Sequence, residues 1–278
     1  STDHGRILLG VTVDVSVGLM AGFPRYLAER GWDVHVVSSP GLALNELAHI
    51  PGVKTHSLPM ARGPLPFADV RSFVAWLRLL RQIRPDIMSV GTPKAGLLAS
   101  IAGWIIRVPR RVYLLRGLRL ETTRGVGRII LTAFERIAIA ASSEVLAVSI
   151  SLRLRAIELR LVKPEKIVVV GAGSSNGVDI AAIDHRRLNE VVLAGLRRSL
   201  GINDGVAVVG FVGRLTEDKG LCVLAEALRQ LCEDGVDHQL LIVGGIDDTS
   251  GQSCLEQLRS QGHHLIETGW VENSGTYY

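Results

Sequence analysis

Cysteine is scarce in this 278-residue chain, aromatic residues make up only 5% of it, and no apolar run is long. Each scarcity excludes something. Cys222, Cys232 and Cys254 show neither zinc-site spacing nor the even count of a disulfide framework, so they read as reduced core thiols of a cytosolic protein. The longest apolar stretches, such as residues 95–106, stop well short of the ~20 residues a bilayer crossing needs. Residues 1–10 read as the entry to a strand rather than as a secretory leader. With so few aromatics there is no stacking platform for single-stranded nucleic acid, and no nucleic-acid-binding motif occurs. The eight histidines are scattered. His263 and His264, just ahead of a strand, read as structural or surface residues rather than metal ligands.

What is present is enough apolar material for two packed domains: 47% hydrophobic and 21% charged residues, which also argues against disorder. The mean hydropathy, +0.28, is high for a fully soluble protein. The net charge of +4 hides an asymmetry. Residues 1–175 hold 23 Lys+Arg against 12 Asp+Glu, a net +11, whereas residues 176–278 hold 8 against 15, a net −7. A basic first half suits an anionic partner.

Hydrophobic periodicity alternates strand and helix throughout. Strands are expected at 6–13, 34–38, 53–58, 86–90, 111–115, 144–148 and 167–170, with helices at 18–30, 41–48, 69–83, 95–106, 123–141 and 149–161. The stretch "ARGPLPFAD" (61–69) reads as a loop, with Asp69 capping the following helix. Helices at 184–200, 220–233 and 254–261 then alternate with strands at 206–212, 239–243 and 265–268. Apolar strands separated by helices imply parallel sheets covered on both faces. The second half offers about three strands, where a doubly wound domain has five or six.

The sign of the charge changes at "KIVVVGAGSSNGVDI" (166–180), a strand running into a glycine-rich turn. Gly171 and Gly173 fit the start of the dinucleotide fingerprint G-x-G-x-x-G, but the sixth position is Asn176 and Gly177 comes one place late. Asn-Gly then forms a turn where a helix should open against a pyrophosphate. One reading is therefore an NAD(P)-dependent oxidoreductase using Gly171–Gly177. The other is a hinge between two domains, 1–175 and 176–278.

"SNGVDIAAI" resembles the Asn-Gly-Val-Asp segment of glycosyltransferase family 4, retaining enzymes of the GT-B fold. "VVGFVGRLTEDKGLCVLAEAL" (208–228) is similar to that family's strand, Gly-Arg, five residues, Lys-Gly and helix. "LLIVGGIDD" (240–248) and "ETGWVEN" (267–273) follow in the family's order. The resemblance covers nearly the whole chain. "VGTPKAGLLASIAGWIIRVPRRVYLLRGLRLETTRG" (90–125) brings it nearest to bacterial enzymes that build capsule, exopolysaccharide or lipid-linked glycan.

The resemblance implies two Rossmann-like α/β domains with the site in the cleft between them. It implies a nucleotide-sugar donor, most plausibly UDP-linked, and a lipid-linked or glycan acceptor. Negative charge grows on the leaving diphosphate, and preformed cations stabilise it best. Arg214 offers a planar fork and Lys219 a point charge, flanked by Gly213 and Gly220 at a strand end and a helix start. By resemblance these four bind the donor diphosphate and stand where other enzymes use a metal, so neither metal nor cofactor is expected. Gly244, Gly245 and Gly269 then lie near the donor nucleotide, and Gly18 near its phosphates or sugar. Lys94, Arg116, Arg119 and Glu121 follow strands of the first domain and are candidates for acceptor binding. Many family members carry a histidine near Arg116; this chain has none there, and no catalytic residue is assigned. The family's pair of glutamates eight positions apart is expected beyond Tyr278, which implies a donor pocket short of that part in these 278 residues.

Seven arginines and one acid lie between 107 and 128, interleaved with Ile, Val, Tyr and Leu. Basic and apolar residues together favour an anionic bilayer surface. The expected location is the cytoplasm, peripheral on the inner face of the membrane. A nucleic-acid binder using the same basic half is the third reading, disfavoured by the missing aromatics.

Overall fold

The computed structural model describes residues 4–20, 22–60, 66–177, 190–271 and 274–277. The chain divides into two compact units, Ser1–Gly177 and Val178–Tyr278.

The first unit is built on seven parallel strands: β1 (Arg6–Gly10), β2 (Asp33–Ser38), β3 (Val53–Ser57), β4 (Ile87–Gly91), β5 (Arg110–Leu115), β6 (Glu144–Ala147) and β7 (Ile167–Val168). They lie in the order β3-β2-β1-β4-β5-β6-β7, so the winding reverses between β1 and β4. The helices are α1 (Phe23–Glu29), α2 (Leu42–Leu47), α3 (Pro66–Ile83), α4 (Pro93–Ile106), α5 (Gly125–Ala141) and α6 (Ile150–Glu158). Strand β2 shows why the sheet is parallel and covered. Its residues Val34 to Ser38 are all buried, a continuous run rather than an alternation. Leu8, Trp76, Leu80 and Met88 form one apolar layer, Leu9, Val34 and Val36 another, and Leu115, Ile139 and Val145 a third toward β6.

The second unit holds α7 (Glu190–Ser199), β8 (Ala207–Val212), α8 (Leu221–Glu233), β9 (His238–Val243), α9 (Thr249–Ser260) and β10 (His264–Gly269). Its parallel strands run β10-β9-β8, with every residue of central β9 buried. Leu221, Leu228, Leu240, Ile242, Leu255 and Leu258 form its main core.

Most expected elements occur, with instructive differences. Helix α3 begins at Pro66 rather than after a loop ending at Asp69; proline is tolerated in the first turn, where its missing N–H has no partner to lose. The expected helix over 18–30 is split into a 3₁₀ turn, Asp14–Met20, and α1. Helix α9 starts five residues earlier than its apolar pattern suggests, because the Asp248 carboxylate caps it, accepting from Gly251 N at 2.8 Å. Residues 61–65, 184–189, Val178, Asp179 and Asn273, all named in the sequence reading, lie outside the described residues.

One expectation is overturned. Cys222, at the start of α8, and Cys254, in α9, are bonded to each other with their Cα atoms 5.0 Å apart. The two helices pack side by side, and a separation of 32 residues carries no spacing signal. Only Cys232 is a free thiol.

Candidate functional site

In the first unit, the reversal between β1 and β4 opens a crevice at the strands' C-terminal ends, the usual ligand position in such sheets. Thr12 and Thr92 close its floor. Their hydroxyls lie 2.7 Å apart, Thr92 Oγ1 accepts from Thr12 N, and Thr12 Oγ1 accepts from Ala95 N at the start of α4. This network holds Thr92 at φ 75°, a left-handed conformation costly for a β-branched residue.

Arg116 follows β5 and reaches back across this crevice. Its guanidinium lies over Gly91, where any Cβ would collide with Nη1. Its Nε donates to Ser175 Oγ at 2.8 Å, while Nη1 is buried with no hydrogen-bond partner among the described residues. Burial pulls the guanidinium below its ordinary pKa, and among the described residues no carboxylate opposes that shift. Gly10, Ser89, Gly91, Arg116 and Asn176 border a cavity of about 20 Å³ there, room for about one water.

The other candidates of this unit are placed differently. Lys94 is largely buried in an ion pair with Asp69 at 2.6 Å, so this lysine ties α4 to α3, and Asp69 lies inside the first turn of α3 rather than ahead of it. Glu121 accepts from Arg155 Nε at 2.6 Å on the surface. Arg119 is exposed, its carbonyl accepting from the hydroxyls of Thr122 and Thr123. Gly18 sits in the 3₁₀ turn after β1; a Cβ there would meet nothing within 4 Å, so packing does not demand glycine.

In the second unit, four of the expected glycines meet at the C-terminal end of the sheet. Gly213 N donates to Val243 O, Gly244 N to Gly269 O, and Leu215 N to Gly245 O, each at 2.9 Å. A Cβ at Gly244 would collide with the carbonyl of Gly213, so glycine here is required by close backbone approach. Arg214 leaves this edge mostly exposed and paired with Asp247. Lys219 ends a 3₁₀ turn, exposed, with Asp218 at 4.0 Å. Gly220 follows with φ 82° and opens α8, whose first N–H groups face the same end.

Several neighbours escaped the sequence reading. Ser175 and Asn176 were visible only as hinge residues, yet Ser175 holds Arg116, and the Asn176 amide donates to Leu19 O. Asp247 lies in a segment read only for its glycines. Trp270 stands three-quarters exposed beside Gly245, an aromatic face next to the expected nucleotide position.

The dinucleotide reading of Gly171–Gly177 fails on geometry. Gly173 has φ 91° and lies so close to Val148 O that a Cβ would come within 2.6 Å, so its freedom serves the turn. Residues 171–177 hold only turn, bend and irregular backbone, and they follow a two-residue strand at the sheet edge rather than the reversal point.

Comparison with known proteins agrees. Residues 21–173 match the family model described as glycosyl transferase 4-like domain, and residues 195–277 that of glycosyl transferases group 1. The chain is 36% identical over 243 residues to a Staphylococcus aureus capsular polysaccharide biosynthesis glycosyltransferase, CapM, covering 85% of this chain and 60% of that protein. It is 27% identical over 183 residues to an Escherichia coli UDP-Gal:α-D-GlcNAc-diphosphoundecaprenol α-1,3-galactosyltransferase, covering 63% of this chain and 44% of that one. The chain thus spans less than two thirds of the length of these curated relatives. Anabaena HepE, solved in complex with UDP-glucose, superposes with a TM-score of 0.73 at 20% identity, over 99% of this chain and 71% of that one. The expected fold class, α/β of the GT-B type with Rossmann-like parallel sheets, is borne out.

Proposed function

The chain belongs to the glycosyltransferases, its first unit to the 4-like family and its second to group 1, and from that premise we propose that it moves a sugar from a UDP-sugar donor to a lipid-linked or glycan acceptor in the building of a surface polysaccharide, with retention of anomeric configuration. One observation carries the donor half: the strand-end turn from Gly213 to Gly220 lies within the group 1 match, with Arg214 and Lys219 both exposed to an incoming ligand. Arg214 exchanges Asp247 for diphosphate oxygens. An exposed ion pair is worth at most about 1 kcal/mol, so the exchange costs little. Lys219 and the N–H groups at the start of α8 add charge where the leaving diphosphate develops it. Trp270, Gly244, Gly245 and Gly269 border the nucleotide.

Arg116 supports the acceptor half. A half-buried guanidinium with an unsatisfied N–H group suits an anionic oxygen, such as a lipid diphosphate carries. Arg119, Glu121 and Lys94 play lesser parts; Lys94 acts by holding α4 against α3. The membrane reading is supported by α5, whose Val126, Ile129, Ile130, Phe134 and Ile137 are all exposed large apolar residues, with Arg124 and Arg128 at its start. No described helix is long and apolar enough to cross a bilayer, consistent with peripheral attachment at the cytoplasmic face.

Two measurements test this. The first is transfer of labelled sugar from a panel of UDP-hexoses and UDP-N-acetylhexosamines to undecaprenyl-diphosphate-linked sugar, with the product's anomeric configuration read by NMR. UDP-dependent transfer that fails without the lipid acceptor supports the reading; sugar released only to water counts against the acceptor. The second is flotation with liposomes: wild type should float with anionic lipid and Ile129→Asp should not, whereas equal flotation of both would remove α5 from the membrane contact.

A further inference from the structure

At the other end of the second sheet, three side chains from three elements converge. Cys232 is the penultimate residue of α8, His238 opens β9, and His263 immediately precedes β10. One potential ligand atom of each lies within 4.8 Å of the others, and Cys232 Sγ is 3.5 Å from His263 Nδ1. This is the N-terminal end of the strands, opposite Gly213, Gly244 and Gly269.

The hydrogen bonds set the tautomers. His238 Nδ1 lies 3.0 Å from the carbonyl of Val236, which can only accept, so Nδ1 carries the proton and Nε2 bears a lone pair. His238 is only 7% exposed, and this Nε2 is buried without a partner. Leaving such an acceptor unsatisfied carries its full desolvation cost. His263 Nε2 lies 2.9 Å from Gln261 Oε1, which places its proton there and turns the Nδ1 lone pair toward Cys232. A thiol–imidazole hydrogen bond would account for Cys232 and His263 but would leave His238 Nε2 unmatched. His264 is committed elsewhere, to Gln239 at 2.7 Å.

We propose that Cys232, His238 and His263 bind one transition-metal cation of the zinc class. One thiolate and two imidazoles form a borderline-soft set, suited to zinc or cobalt and poorly suited to magnesium or calcium. Each imidazole donates its second N–H to an oxygen, the outer-shell arrangement that orients metal-ligating histidines. Zinc–nitrogen and zinc–sulfur bonds of about 2.0–2.3 Å put neighbouring donors ~3.5 Å apart, which the Cys232–His263 pair already meets. The bound ion clips the end of α8 to the starts of β9 and β10. Three protein ligands leave a fourth coordination position for water or an exogenous group. The site is separate from the proposed donor machinery, so it stands or falls independently of UDP binding. It also replaces the sequence reading of His263 as a merely structural or surface residue.

The test uses the whole chain after dialysis against a chelator, titrated with Co²⁺ as the probe. Expected are one equivalent bound, a near-ultraviolet thiolate-to-cobalt charge-transfer band, displacement by Zn²⁺, and a thermal midpoint raised by Zn²⁺ but not by Mg²⁺. Cys232→Ser should abolish the charge-transfer band, and His263→Gln should weaken binding at least tenfold; neither side chain is in the core, so both variants should retain the wild-type circular dichroism. Absence of the band in wild type, or its persistence in Cys232→Ser, overturns the proposal.

Discussion

The two units carry strand-end arginines in opposite electrostatic settings. Arg116 of the first is half-buried, held by Ser175 and laid over Gly91, and among the described residues no carboxylate forms an ion pair with it. Arg214 of the second stands 58% exposed against Asp247. The first guanidinium is preorganised and underpartnered, so an anion reaching it gains from a site already desolvated. The second already has a counter-ion and can exchange it at small cost. On the proposed reading, the same residue type would serve as a fixed acceptor contact in one unit and an exchangeable donor contact in the other.

The sharpest way to break this comparison is to remove both exposed cations. Arg214→Ala with Lys219→Ala should lower kcat/KM by roughly 10³-fold, and Arg214→Ala alone by about 10²-fold, with stability unchanged within about 0.5 kcal/mol. A large loss of stability with little loss of turnover would make the pair structural. Next in size, opening the Cys222–Cys254 bond closes no chain of about 30 residues in the unfolded state. Reduction should therefore cost the second unit roughly 4 kcal/mol in denaturant melts and leave the first unit's transition in place. Coincident loss in both units would show that they unfold as one.

Arg116→Met tests the other arm. Replacing a half-buried charge by an apolar chain of similar length should stabilise the first unit by about 1 kcal/mol while raising the acceptor KM and leaving the donor KM unchanged. A rise in the donor KM alone would assign Arg116 to the donor.

The smallest effect concerns acid. His35 and His56 stack in the first unit with Nδ1 and Nε2 2.8 Å apart. Burial lowers both pKa values, with Lys54 adding to the effect on each and Arg6 on His35, against the opposing pull of Asp33 on His35. A depressed folded pKa means the unfolded chain takes up protons first. Their contribution is thus present above about pH 6.5 and lost as pH falls through the folded values. The first unit's melting temperature should drop between pH 7.5 and 5.5, and His56→Gln should flatten that slope. An equal drop in the variant would place the acid sensitivity elsewhere.

Much of the fold was legible because its signals are local. The apolar runs of β2 and β9 announce buried parallel strands, and the segments from 208 to 273 carry the family likeness in their order. The glycines at 213, 244 and 269 could be singled out as strand-end residues. Boundaries were less legible where a polar cap outweighed an apolar pattern, as at Asp248, or where two prolines masked a helix start, as at Pro66. Side-chain roles were least legible. Lys94 read as a cation at a strand end, but its partner Asp69 lies on a neighbouring helix 25 residues earlier.

By itself, then, the sequence determined the alternation of strands and helices, the family, and the glycine-flanked Arg214 and Lys219, since periodicity and motif spacing act over a few residues. Only the tertiary structure decided that Cys222 meets Cys254, that Arg116 covers Gly91, and that Cys232, His238 and His263 share one corner. Parallel crossovers bring residues tens of positions apart into contact, and no local pattern records which of them will face each other.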